Sequence, residues 1–321
     1  MRQCLILILS CLAMVTLSVR GEERRFEFTY ELLDTDFPAG KVVEVYVPIP
    51  SNTVGQTILT QSVQSTWEGE FGVEETHGNR YYRLRREVGQ TKPLEARLSW
   101  TLARQPVAAH GAGELAEARR QRALEADSLV PVNHEILQPI LKEIHASRSN
   151  ESSAATARAI YDWVVDNVEY KKIGSGWGNG DTFWACNERY GNCTDFHALF
   201  ISLARSEGIP AQFEMGFPVP ADRPQGVIGG YHCWVHFYLP ETGWLPIEAS
   251  EAAKHPEMRE SLYGGNPADR IHFSSGRDLV VSEASRKQPL NYFIYPYAEV
   301  AGKPWPGKVN VRFSYRDLPE T

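Results

Sequence analysis

Apolar side chains recur at every second position from about Arg25 to Ala108. Phe26, Phe28, Tyr30 and Leu32 form one such run, Val43, Val45, Val47 and Ile49 another, and Leu94, Ala96, Leu98, Trp100 and Leu102 a third. A period of two gives each strand one apolar face, and Gly78-Asn79 between alternating runs is a hairpin signal. The pattern predicts an all-β, sandwich-like domain over residues 22–108, serving as a scaffold or substrate-presenting module.

Beyond Gly111-Ala112-Gly113 the period becomes helical. Asn133 is placed to cap a helix carrying Ile136, Leu137, Ile140 and Leu141, and Ser152 or Ser153 to cap one carrying Ala157, Ile160, Trp163, Val164 and Val168. The next stretch, GSGWGNGDTFWACNERYGN, has no periodicity, and loops of that length in compact domains are often functional. A third helix opens at Cys193, with Phe196, Leu199, Phe200 and Leu203 as its buried stripe and Gly208 as its stop. Strands then return in QFEMGFPV, YHCWVHFYL and WLPIEAS, and again near the end in NYFIYPYAEV and VNVRFSYRD, which are expected to complete a sheet. Residues 109–321 therefore read as an α+β core that carries the C-terminal strands.

Composition narrows the functional classes. With 42% apolar residues over 321 positions the chain can fill a sizeable core, and a net charge of −7 without a basic stripe gives no reason to expect nucleic acid or anionic lipid as a partner. The start, MRQCLILILSCLAMVTLSVRGEE, has a basic head, an apolar stretch and then small and polar residues, the layout of a secretory signal peptide over residues 1–21. Such a leader implies export to a periplasmic or extracellular location, with no stable membrane insertion after cleavage. Ile8-Leu9-Ser10-Cys11 loosely resembles a lipoprotein box, but the apolar run before Cys11 is short, so export without an anchor is preferred. Losing the leader leaves Cys186, Cys193 and Cys233. In an oxidising compartment the odd count fits either a Cys186–Cys233 disulfide with Cys193 free, or separate buried thiols.

Cys193 stands out because a thiol at a helix start meets unpaired backbone N–H groups and the positive end of the macrodipole, which favours thiolate. A cysteine nucleophile also needs a base, and the base an acceptor that fixes its tautomer. His232 and Glu248, on the strands after this helix, supply both. His197 lies on the same helical face as Cys193 and competes for the role of base, although packing suits it better. His236 shares a strand face with His232, but about 13 Å along the strand, too far to serve the same thiol. Asp195 reads as a capping carboxylate. With no C-x-x-C or H-E-x-x-H spacing and no phosphate-cradling loop, neither a metal nor a cofactor is expected.

The stretches GNCTDFHALFISLARSEGIPAQFEMGF and HCWVHFYLPETGWLPIEAS resemble the core of the transglutaminase-like superfamily from about Pro131 to Ser250, and Ser275-Gly276-Arg277-Asp278-Leu279 resembles a further stretch of its bacterial members. The resemblance implies a papain-like core, in which the helix bearing the cysteine packs on an antiparallel sheet, with Cys193 as nucleophile, His232 as base and Glu248 as orienting acid. It departs from the family at Glu248, where aspartate is usual, and at His236, where an acidic residue is common. The backbone N–H of Cys193 is one oxyanion donor; the Trp177 indole is either a second or only loop packing. The implied reaction is acyl transfer from peptide or protein amides through an acyl-thioester, with hydrolysis favoured over cross-linking because no amine pocket is evident. The alternative is a non-catalytic binding or structural protein of the cell envelope that keeps the fold.

Overall fold

The computed structural model describes residues 23–319. The signal-peptide reading and the Cys11 alternative fall outside those residues. No described helix is long and apolar enough to cross a membrane.

Three antiparallel sheets build the molecule. Two have five strands each, and their buried faces feed one apolar cluster that holds Phe28 and Tyr30 from one sheet and Val45 and Val47 from the other. The first sheet runs Gln225–Ile228, Val311–Asp317, Arg24–Leu32, Ala96–Arg104, Gln56–Ser65. The second runs Lys303–Pro304, Tyr297–Val300, Val43–Ile49, Arg80–Arg86, Glu68–Val73. The hairpin at Gly78 is present, with φ +73° at the glycine and Glu74 N–H donating to Asn79 O at 2.7 Å.

The C-terminal strands belong with these sheets rather than with the core to which the sequence assigned them. Val311–Asp317 pairs with Arg24–Leu32 in the register Phe28↔Tyr315, and Tyr297–Val300 pairs with Val43–Ile49. The alternation that marks a strand carries no information about its partner, so an N-terminal unit closed at residue 108 leaves both sheets incomplete. Residues 291–296 of NYFIYPYAEV lie outside any strand.

The core sheet has four strands, in the order Gly243–Ile247, His232–Leu239, Ala211–Pro218, Arg270–Ser275. Phe28 and Tyr30 pack their rings on Phe217 and Phe273 of this sheet, which fixes the β sheets against the core. The helix Cys193–Ser206 packs on the same sheet, with Phe200 against Phe237. The expected single stripe understates this helix, since every position from Cys193 to Arg205 is buried. The helices Ser153–Asn167, Thr182–Glu188 and Ala249–Lys254 enclose the sides that the sheet leaves free. Its polar groups are met inside the protein: Ser202 Oγ lies 2.8 Å from Thr182 Oγ1, and Arg205 donates to Ala211 O and to Asp127 at 2.7 Å.

Two local expectations change. Asn133 adopts φ +55° and does not cap; His134 Nδ1 accepts from Ile136 N–H instead, ahead of a short 3-10 turn and the helix Gln138–Ser147. The aperiodic stretch contains the helix Thr182–Glu188, capped by Asp181 and stopped by Arg189 at φ +57°. Seven residues are too few to display a 3.6-residue period.

Candidate active site

Cys193 is the first residue of its helix, and Asn192 caps it by accepting from Thr194 N–H at 2.9 Å. First-turn amides have no intrahelical acceptor, so the Cys193 N–H faces the region of its own thiol together with the positive end of the helix. The Cys233 thiol and His232 are the neighbours that favour the ionised form of Cys193. Together they outweigh burial and hold the Cys193 thiol well below the usual range. Burial, together with the charge that this places beside it, pushes the Cys233 thiol well up. Cys233 is therefore the donor and Cys193 the thiolate.

His232 opens its strand. Its Nε2 lies 2.8 Å from Glu248 Oε2, which leaves Nδ1 for the thiol. Burial opposes a charged ring, but the Glu248 carboxylate and the thiolate bond raise His232 from about 6.5 to about 9. Glu248 lies one residue past the strand that ends at Ile247, as the N-cap of Ala249–Lys254, so the reading of EAS as strand is corrected to a strand end followed by a helix. The carboxylate is fully buried and Arg270 grips it with two nitrogens, Nε to Oε1 at 3.1 Å and Nη2 to Oε2 at 2.9 Å. Asn266 donates to Oε1 at 3.2 Å. Burial pushes this acid up, yet the charges of Arg270 and His232 win and hold it far below the ordinary carboxylate range. His232, Glu248 and Glu251 offer ligand atoms within 4.8 Å of one another, but both Glu248 oxygens are engaged by Arg270, so the cluster is an ion-pair network.

The same segment matches known proteins. Residues 139–249 match the sequence profile of the transglutaminase-like superfamily. These residues form a transglutaminase-like domain. An uncharacterized protein of Haemophilus influenzae is 31% identical over 180 residues, which cover 46% of this chain and 49% of that protein, so the chain spans about half the length of this relative. The uncharacterized protein YebA of Bacillus subtilis is 30% identical over 77 residues, 21% of this chain and 10% of that one. A solved structure of a candidate cysteine protease from Cytophaga hutchinsonii shares the fold at 18% identity, with a TM-score of 0.60 over 94% of this chain and 93% of that chain.

The transglutaminase-like domain brings Cys193, His232 and Glu248 together and leaves the competing histidines elsewhere. His197 is fully buried, burial drives it down to about 3, and its Nδ1 lies 3.3 Å from Cys233 Sγ rather than against Cys193. His236 sits with Glu214, Nδ1 to Oε1 at 3.4 Å. Cys186, Cys193 and Cys233 are all free thiols, so the structure takes the alternative without a disulfide. Cys233 faces the helix and contacts its cysteine and histidine there, not the segment of Cys186. Trp177 donates its indole N–H to Gly174 O at 3.1 Å, which is the loop-packing arrangement of the two considered for it.

Asp195 does more than cap. It accepts from Asn192 N–H at 2.9 Å, Gly178 N–H at 2.7 Å and Gly180 N–H at 3.0 Å, tying the glycine-rich loop to the first turn of the helix. Arg277 holds the same loop through the Gly180 and Asn179 carbonyls at 2.7 and 2.9 Å. Asp195→Ala leaves three amides without their acceptor and is expected to cost about 2–3 kcal/mol, read by denaturant titration, with faster hydrogen exchange at Gly178 and Gly180. Unchanged exchange at those two glycines would remove Asp195 from this role.

Arg270, Asn266 and Cys233 were not identified from sequence as parts of the site. The first two lie beyond residue 249, outside the matched segment. Cys233 carried the one available signal, its place beside His232.

Proposed function

We propose that the protein is a thiol enzyme that cleaves amide bonds of peptides or proteins through an acyl-thioester. The observation that carries this reading is a helix-start thiol whose ionised form is favoured by an imidazole, one nitrogen of which is fixed at 2.8 Å by a buried carboxylate. The thiolate attacks the substrate carbonyl carbon, and the Cys193 N–H stabilises the oxyanion that develops. His232, charged in the resting enzyme, passes its proton to the departing amine. Then, as a neutral base, it takes a proton from the water that opens the thioester. Glu248, clamped by Arg270, keeps the imidazole oriented through both steps. Fold likeness to a chain described as a candidate cysteine protease is compatible with this chemistry without naming a substrate. The leader sequence adds the proposal that the enzyme works outside the cytoplasm.

A peptide-amide substrate offered with and without a primary amine tests the reading. Release of free acid at a rate unaffected by amine supports hydrolysis, whereas incorporation of the amine assigns cross-linking. A Cys193 inert to alkylation in the folded protein would favour the non-catalytic binding alternative. The ion pair also sets a pH limit. His232 is raised in the folded protein, so its proton is present at neutral pH and is lost as pH rises through about 9. Turnover is expected to fall along an alkaline limb with its midpoint near 9; a midpoint near the ordinary histidine value would overturn the pairing.

A further inference from the structure

On the face of the core sheet away from the nucleophile helix lies a cavity of about 250 Å³, where the β sheets, the linker through His110 and the core sheet meet. Junctions of this kind are common ligand sites. Three buried residues line the cavity and each leaves a polar atom without a partner: Arg104 Nε and Asn266 Oδ1, both on residues more than nine-tenths buried, and His272 Nδ1, on a side chain 11% exposed. Native interiors seldom leave such atoms unmet.

The unmet set has a definite chemistry. Arg104 gives one N–H to Gly55 O at 2.9 Å, and no carboxylate of the described residues lies within 4.0 Å of its guanidinium. Burial, with repulsion from Arg270, pulls it down to about 10. Glu214, the carboxylate on the cavity wall, is already saturated. It accepts from His272 Nε2 at 2.8 Å, Ser275 Oγ at 2.6 Å and Gln212 Nε2 at 2.9 Å, with His236 Nδ1 at 3.4 Å. A buried cation without a contacting counter-charge is costly, and here the carboxylates that act on Arg104, Asp269 and Glu248, do so only from beyond ion-pair distance and against the like charge of Arg270. Arg119 adds a second guanidinium to the wall. Asn266 commits its amide N–H to Glu248, so its free Oδ1 is an acceptor; with His272 Nε2 donating to Glu214, His272 Nδ1 is an acceptor too.

We propose that this cavity binds a small oxyanion that also carries an O–H or N–H donor, its negative oxygens on Arg104 and Arg119 and its donor on Asn266 and His272. Hydrogen phosphate and an α-amino carboxylate both have that chemistry. Because Asn266 also holds the catalytic carboxylate, the site touches the triad through one side chain, although its occupancy is measured without turnover and stands or falls independently of the proposed reaction.

The test is calorimetric titration of the whole protein at constant ionic strength with three probes: inorganic phosphate, alanine and acetate, the last lacking the donor. The expected result is one saturable site per chain, with phosphate or alanine binding at least about tenfold tighter than acetate, the worth of one good charge-assisted contact. Phosphate as the tighter probe assigns a phosphoryl ligand, and alanine a free amino acid or peptide end. Arg104→Gln is expected to weaken binding by at least about tenfold. Should that variant fail to fold, Arg119→Ala, at an exposed position, is expected to weaken it several-fold. No saturable binding, acetate binding as tightly as the other two, or affinity unchanged by loss of either arginine overturns the proposal.

Discussion

His232→Ala is expected to slow alkylation of Cys193 by iodoacetamide at pH 7 by on the order of 100-fold and to abolish turnover, a loss on the order of 10³-fold or more. The Cys233 thiol also favours the Cys193 thiolate, and burial works against the charge, so what remains after His232 is removed is a buried thiol with one neutral neighbour and a helix terminus. The thiolate fraction at neutral pH falls accordingly. Turnover suffers further, because no group is left to protonate the departing amine. His197→Ala is the control: its ring contacts Cys233 at 3.3 Å and is neutral across the working range, so most labelling should survive. Equal labelling of the wild type and His232→Ala would remove His232 from the site.

Arg270→Met should cost about 3–5 kcal/mol of stability, the range for breaking a buried ion pair from one side, read from the midpoint of chemical denaturation. Glu248 has no solvent exposure, and without Arg270 its charge is balanced by His232 alone, with Asn266 as a hydrogen-bond donor. The sign of the pH dependence comes from the depressed acid. Glu248 contributes stability above its unfolded value, lost as pH falls toward the much lower folded value. Arg270→Met narrows that gap and should move acid unfolding toward neutral pH. Adding Glu248→Gln removes the stranded charge, so the double variant should be more stable than the sum of the two single losses implies, while activity stays low. Simple additivity would mean that the two side chains do not act as a pair.

The features legible in the sequence were local ones. Two-residue alternation marked the strands that hold Phe26 and Val43, and a cysteine behind a Gly-Asn pair marked a helix start that the capping box of Asn192 and Asp195 explains. His232 and Glu248 were visible because they sit in motifs beside strand signals. Arg270 is separated from Glu248 by 22 positions and Arg277 from Gly180 by 97, and no spacing rule links such pairs. The helix at Cys193 misled in another way. Asp195, Ser202 and Arg205 look like an exposed face, but their partners lie in distant segments that bury them. The glycines at 178 and 180 hinted at a loop that needs close approach, without saying to which acid.

The strand Arg24–Leu32 sits between two neighbours that leave the ribosome at very different times. Ala96–Arg104 emerges soon after it, while Val311–Asp317 comes much later, with Arg24 and Asp317 293 positions apart. During synthesis the strand bearing Phe26, Phe28 and Tyr30 can therefore pair on one side only, with its other edge open until residues 311–317 have emerged. Long-range closure of this kind slows folding, and an open edge on an apolar strand invites pairing with a second nascent chain. The yield of folded protein is thus governed by how soon Val311–Asp317 arrives, and deletions that remove it should lower the yield even though they spare Cys193, His232 and Glu248.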